Sequence, residues 1–218
     1  MTELRYLLLS DGSSDRCLLS ILTWLLRESG VASPIQPDWA DLRRLPRPPR
    51  DLPQRIRSSL ELYPCDLLFV HRDAEGPAFE ARKQEILGAI AQLAASVAVP
   101  AVCVVPVRMQ EAWLLLDEAA IRAAAGNPAG RETLSIPPLR QLEQIPDPKE
   151  VLHRLLREAS GLGARCRQTM NVRASAQRVS EFVSDFSRLR ALAAFVALEN
   201  DVGRVVTDNG WSGGILHP

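Results

Sequence analysis

Two acidic turns, each directly behind a short apolar run, carry the residues of this chain best suited to chemistry. The first reads Leu7-Leu8-Leu9-Ser10-Asp11-Gly12-Ser13-Ser14-Asp15, and the second Leu67-Leu68-Phe69-Val70-His71-Arg72-Asp73-Ala74-Glu75-Gly76. Apolar runs of this length, ended by polar residues and glycine and followed by helical patterns, read as buried parallel strands. In open α/β sheets, ligands bind in the crevice beyond the carboxyl ends of such strands. If the two strands are neighbours, several carboxylates converge there. Crowded carboxylates repel one another unless a proton or a cation intervenes. A hard divalent cation such as Mg²⁺, or the similar Mn²⁺, prefers the oxygen ligands on offer.

The elements that must position these turns can be read from periodicity. A first strand is expected over about Arg5 to Ser10, followed by a helix from about Ser14 to Glu28 with Leu18, Leu22 and Leu25 on one face. A weaker strand is expected near Pro34 to Trp39, and a Pro- and Arg-rich loop over Asp41 to Pro53. A helix from about Leu52 to Leu62 and a strand from Asp66 to Arg72 come next. Pro77 suits the first turn of the following helix, which carries Phe79, Ile86, Ile90 and Leu93. The β-branched run in Pro100 to Val107 predicts a further strand. Alternating strands and helices argue for an α/β fold with a mostly parallel sheet covered on both faces. Beyond it, one or two short helices are expected in Gln110 to Gly126, a loop to Pro148, and helices over Lys149 to Ser160 and Ala174 to Leu198. Residues 1–118 are thus expected to form the sheet core and 119–218 a helical appendage packed on it.

Composition narrows the function classes. With 26 basic and 26 acidic residues among 218, the formal net charge is zero, so the overall positive field usual in nucleic-acid binders is missing. No stretch approaches the roughly 20 apolar residues of a membrane span. The opening apolar run is short for a signal peptide and is interrupted by Asp11, so a cytoplasmic location is expected. Cys17, Cys65, Cys103 and Cys166 show no metal-site spacing and are expected to be small buried residues. The dinucleotide and P-loop signatures and the G-x-S-x-G elbow are missing.

Each candidate residue has a plain structural alternative. Asp73 and Glu75 are metal-ligand candidates, or else polar residues ending a strand. Asp11 is a ligand or an acid/base candidate, or a turn residue before Gly12. Asp15 supports the metal site, or favours the helix start through its charge. Glu111, just after the last strand, could bind a second metal or activate water, or lie exposed on a helix. Arg72 and Arg108 flank the acids and could contact phosphate, though solvated or ion-paired arginines are commoner. Trp113 reads as core or as a lid. His71 shares the strand face of Asp73, which suits a hydrogen-bonded structural role or a place near the site. Arg43, Arg44 and Arg47, with Arg50, Arg55 and Arg57, form the one local basic patch, suited to a nucleic-acid backbone or to solvent.

The order of these motifs resembles the Toprim (topoisomerase-primase) fold: acid-Gly-x-x-Asp after one strand, then Asp-x-acid after another. The segment Pro106-Val107-Arg108-Met109-Gln110-Glu111-Ala112-Trp113 is similar to a stretch in small uncharacterised bacterial Toprim-like proteins related to the overcoming-lysogenization-defect nucleases. Asp147-Pro148-Lys149-Glu150-Val151-Leu152 is similar to a later segment of that family. The resemblance implies Mg²⁺- or Mn²⁺-dependent phosphodiester chemistry on DNA or RNA, with Asp11, Glu111 and Lys149 in catalytic roles. It also implies metal held by Asp11, Asp15, Asp73 and Glu75, and a setting in phage defence. The pattern usually has Glu where Asp11 stands and Asp where Glu75 stands. Such a site could cut, or could bind metal or nucleic acid without cutting, beside a partner ATPase. Phosphoacceptor α/β domains, which also carry acids at strand ends, are the competing fold reading.

Overall fold

The computed structural model describes residues 3–74, 79–93 and 99–213. Four strands, β1 (Leu4–Leu9), β2 (Ile35–Trp39), β3 (Leu67–His71) and β4 (Ala101–Val104), form one parallel sheet in the order β2-β1-β3-β4. The chain leaves β1 toward β2 on one side and returns to β3 on the other, so a topological switch point lies between β1 and β3. That is where open α/β sheets form their ligand crevice.

Helices cover both faces. On one, Tyr6 and Leu8 pack with Phe69, Val102 and Val104 against α1 (Leu18–Glu28) and α8 (Ala193–Asp208). The Tyr6 and Phe69 rings meet edge to face at 5.3 Å. The buried Tyr6 hydroxyl donates to the Leu19 carbonyl at 2.7 Å, which satisfies a polar group that would otherwise be costly to bury. On the other face, Leu7, Leu9, Leu68 and Val70 meet α2 (Leu52–Leu62) and α3 (Phe79–Ala91). Both faces of β1 and β3 are therefore apolar, which is why these strands read as continuous apolar runs.

The remaining helices are α4 (Glu118–Ala124), α5 (Pro148–Ala159), α6 (Ala164–Thr169) and α7 (Val172–Phe182). Four helix starts are capped by short polar side chains: Asp51 accepts from the Gln54 amide, Asp117 from Ala120, Asp147 from Glu150 and Asn171 from Ala174. Each cap satisfies an amide that has no partner within its helix. The apolar core around α1 runs without a break into α4, α5, α7 and α8, so the second half of the chain shares a core with the sheet.

The structure corrects three expectations. Ala174 to Leu198 is not one helix: α7 ends at Phe182, a 3-10 turn spans Ser187–Ala191, and α8 begins at Ala193. Asp185 accepts from both the amide and the hydroxyl of Ser187, at 2.8 and 2.7 Å. Such local side-chain bonds compete with helix continuation. The helix after the first acidic turn begins as a 3-10 segment, Ser13–Cys17. Cys166 is exposed; all four cysteines are free. Pro77 lies outside the described residues. Among the described residues no helix is long and apolar enough to cross a membrane.

Phe195, fully buried on α8, packs edge to face on buried Trp113 at 5.5 Å between ring centres. Phe195→Ala should destabilise the whole protein by about 3–5 kcal/mol, the usual cost of a buried phenyl truncation. Denaturant unfolding followed by circular dichroism and by tryptophan fluorescence should show one shared transition at lower midpoint. Separate transitions would mean that the C-terminal helices unfold independently of the sheet.

Candidate functional site: an acid cleft at the sheet switch point

β1 and β3 pair directly, with Leu9 opposite Val70, so their acidic turns emerge side by side. One cleft beyond them is lined by Asp11, Asp15, His71, Asp73, Glu111 and Lys149. Six of the residues singled out from the sequence thus come together. Glu75 falls outside the described residues.

The acids are compensated unequally. Asp11, half exposed, forms ion pairs with Arg55 and with Arg72, the latter at 3.0 Å. Asp15 is buried and fully bonded: it accepts from the Gly12 amide, the Ser14 hydroxyl and the Gln110 side-chain amide, each at 2.9 Å. It therefore holds the helix start and lines the cleft at once. Glu111 is buried and meets Lys149 Nζ at 3.8 Å; burial still pushes its carboxyl up. Lys149 stands in the first turn of α5, where the helix dipole disfavours a cation, and Glu111 supplies the offset.

Asp73 has least support. Its Oδ1 accepts from the Gln110 backbone amide at 3.2 Å and lies 3.5 Å from His71 Nε2. Burial, then the charges of Asp15 and Glu111, push its carboxyl up to about 8. His71 is buried, with Nδ1 2.9 Å from the Val104 carbonyl. A carbonyl can only accept, so Nδ1 carries the proton. Burial is the largest influence on the ring and holds its pKa below the ordinary value, so the neutral ring turns the Nε2 lone pair toward Asp73.

A strained turn delivers the third wall. Arg108 has φ of 67°, and the Met109 amide donates to the Val107 carbonyl at 3.0 Å across it. This is a three-residue γ-type turn, rare for a side chain larger than glycine's hydrogen. It leads into the 3-10 segment Gln110–Leu114, where Gln110 bonds Asp73 with its backbone and Asp15 with its side chain. Backbone strain of this kind persists where surrounding contacts over-determine it.

The other expected residues lie elsewhere. Arg72 divides its guanidinium between Asp11 and Glu85. Arg108 does not line the cleft, and its Nε is buried without a partner. Arg43 and Arg44 both pair with Asp41, and Arg43 stacks on Trp39 at 5.4 Å. Arg47 lines a separate surface hollow with Arg50 and Arg57. Trp113 is core. Sequence reading passed over Gln110 as a site residue, and Arg55 it grouped with the loop arginines. Asp51 caps α2 and Arg55 lies in its second turn, near the Ser10 carbonyl that it also bonds at 2.6 Å, so only folding joins it to Asp11.

Compared with family models, curated proteins and solved structures, the chain matches none. Among the described residues, no group of three or more His, Cys, Asp and Glu side chains is arranged to hold a metal ion. The set of oxygen ligands nevertheless suits a hard cation: Asp73 and Glu111 are under-compensated, and Gln110 Oε1 is a buried oxygen without a donor among the described residues.

The raised Asp73 carboxyl has a signed consequence for stability. Between its unfolded value near 4 and its folded value of about 8, the folded state holds a proton that the unfolded state has lost. Stability therefore falls as pH rises through that window. In EDTA, Asp73→Asn should be more stable than wild type at pH 8.5, by on the order of 1 kcal/mol or more. The difference should vanish near pH 4. Equal melting curves at both pH values would show that Asp73 carries no such penalty.

Proposed function

We propose that this protein is a divalent-cation-dependent enzyme of phosphodiester chemistry on nucleic acid, a nuclease of the Toprim type. The observation that supports this most is a crowd of acceptors at the β1/β3 switch with too few donors among them: Asp73, Glu111, His71 Nε2 and Gln110 Oε1. Crowded acceptors of this kind are resolved by a cation or a proton. The Nδ1–H of His71 on a backbone carbonyl is also the arrangement that orients metal-binding imidazoles.

In this reading Asp73 and Glu111 would hold Mg²⁺ or Mn²⁺, with Gln110 Oε1 and His71 Nε2 as further acceptors in the same cleft. A bound cation supplies Lewis acidity to a phosphate oxygen. Asp15 keeps Gly12 and Gln110 in place around it. Lys149, released from Glu111, offers its ammonium to the charge that develops on phosphate. Asp11 accepts or returns a proton only when Arg55 and Arg72 yield it.

That double arginine clamp on Asp11 favours a second reading. Both carboxylate oxygens of Asp11 are engaged, one by Arg55 and one by Arg72, so neither is free to meet a water. The protein would then bind metal and nucleic acid without cutting and work beside a partner ATPase. Phage defence is the biological setting proposed for either form.

End-labelled single- and double-stranded DNA and RNA should be cut in millimolar Mg²⁺ or Mn²⁺ and spared in EDTA. Asp73→Ala should lower the rate by on the order of a hundredfold, the scale of losing one preorganised charge. The same ions should raise the melting temperature of wild type and leave Asp73→Ala unmoved, since a native-state ligand stabilises by mass action. A metal-dependent rise without cleavage selects the second reading. Neither cleavage nor a rise removes both.

A further inference from the structure

A second cavity, about 350 Å³, opens beside the acid cleft and shares Gly12, Ser14, Glu111 and Lys149 with it. The two share a wall and differ in electrical character. Cations enter the second cavity from three separated parts of the chain: Arg43 from the turn after β2, Lys149 from α5 and Arg173 from α7. Glu111 is the only carboxylate among its lining residues, and Lys149 already faces it. Arg173 has no carboxylate partner among the described residues.

His153 lines this cavity and is largely buried, and its imidazole is held below the ordinary value by burial, then by the charges of Lys149 and Arg157, opposed by Glu150, with Arg173 adding to the lowering. Three cations facing the cavity, Arg43, Lys149 and Arg173, against one lining carboxylate, Glu111, make a place that favours an anion. Cys17, Leu114 and Ala176 add apolar surface to its lining. A volume of this size is where small-molecule pockets begin and leaves most of its space open around a bare inorganic anion. The occupant therefore has an anionic end and an apolar or planar body.

We propose that this cavity is a nucleotide subsite, taking a nucleoside monophosphate unit of a strand whose next phosphate lies in the acid cleft. The proposal rests on the nuclease reading for the direction of the strand, though the binding itself needs neither cation nor cleavage. Arg173 holds the phosphate as the main charge-assisted donor, with Arg43, which Asp41 already pairs at 3.2 Å, adding positive charge, and the apolar side chains face sugar and base. The shared Lys149 lies between the two phosphates.

Adenosine 5′-monophosphate, titrated calorimetrically into the full chain in EDTA, should bind at millimolar concentration or tighter. Arg173→Ala should weaken it roughly tenfold or more, the size of one charge-assisted hydrogen bond. Arg173 is exposed on α7, so its loss should leave the fold intact, and circular dichroism checks that. Arg57→Ala, in the separate basic hollow, should leave the affinity unchanged. Adenosine and inorganic phosphate should each bind more weakly than the nucleotide. No binding by wild type, equal affinity in Arg173→Ala, or inorganic phosphate binding as tightly as the nucleotide would each overturn the subsite. Cleavage without nucleotide binding would leave the nuclease reading standing and this proposal fallen. Nucleotide binding without cleavage would do the reverse.

Discussion

The pairing of β1 with β3 is the constraint on which the rest of this structure depends. It sets two acidic turns side by side at the carboxyl ends of the two central strands, which are apolar on both faces. Carboxylates that near to one another, partly out of water, are held together only by groups that offset their charge. The surrounding chain supplies those groups from distant places: Arg55 from α2, Gln110 from the turn after β4, Lys149 from α5. The acid cleft is thus the point at which separate elements are tied to the sheet, as well as the candidate site.

The offsets are graded, and the grading assigns different chemistry to similar side chains. Asp15, with three donors, is a fixed structural acid. Asp11 sits in water with two arginines and is screened. Asp73 has one long backbone hydrogen bond and a raised carboxyl, so it is the group that most gains from a cation. Pairs of titratable groups pushed apart by environment are the usual mark of divided roles in an active site. The left-handed Arg108 belongs to the same economy: a turn strained by its side chain is what lets one residue, Gln110, brace both Asp15 and Asp73.

The basic cavity next door changes what the acid cleft can be asked to do. A zero net charge leaves no long-range attraction for nucleic acid, so attraction must be local. The arginine-rich loop is less available than its composition suggests, because Asp41 takes Arg44 and pairs with the one loop arginine, Arg43, that also lines the cavity, and Arg55 belongs to Asp11. The cations that face a common cavity with the acids come instead from three elements far apart in sequence.

By itself the sequence determined the strands, the helices through α3 and the α/β layering. Those rest on local periodicity, whose reach is a few residues. It also determined that Asp11 and Asp73 follow buried strands, because apolar runs with acidic ends are a local signal; that the two strands are neighbours came from the sheet pairing. The break between α7 and α8 escaped it, since Asp185 bonding Ser187 is a choice between two local conformations of similar cost. Only the tertiary structure decided which carboxylate would be clamped, which fully bonded and which left raised. Burial and charge–charge energy depend on distances across the fold, and the partners Arg55, Gln110 and Lys149 stand tens of residues away from the acids they serve.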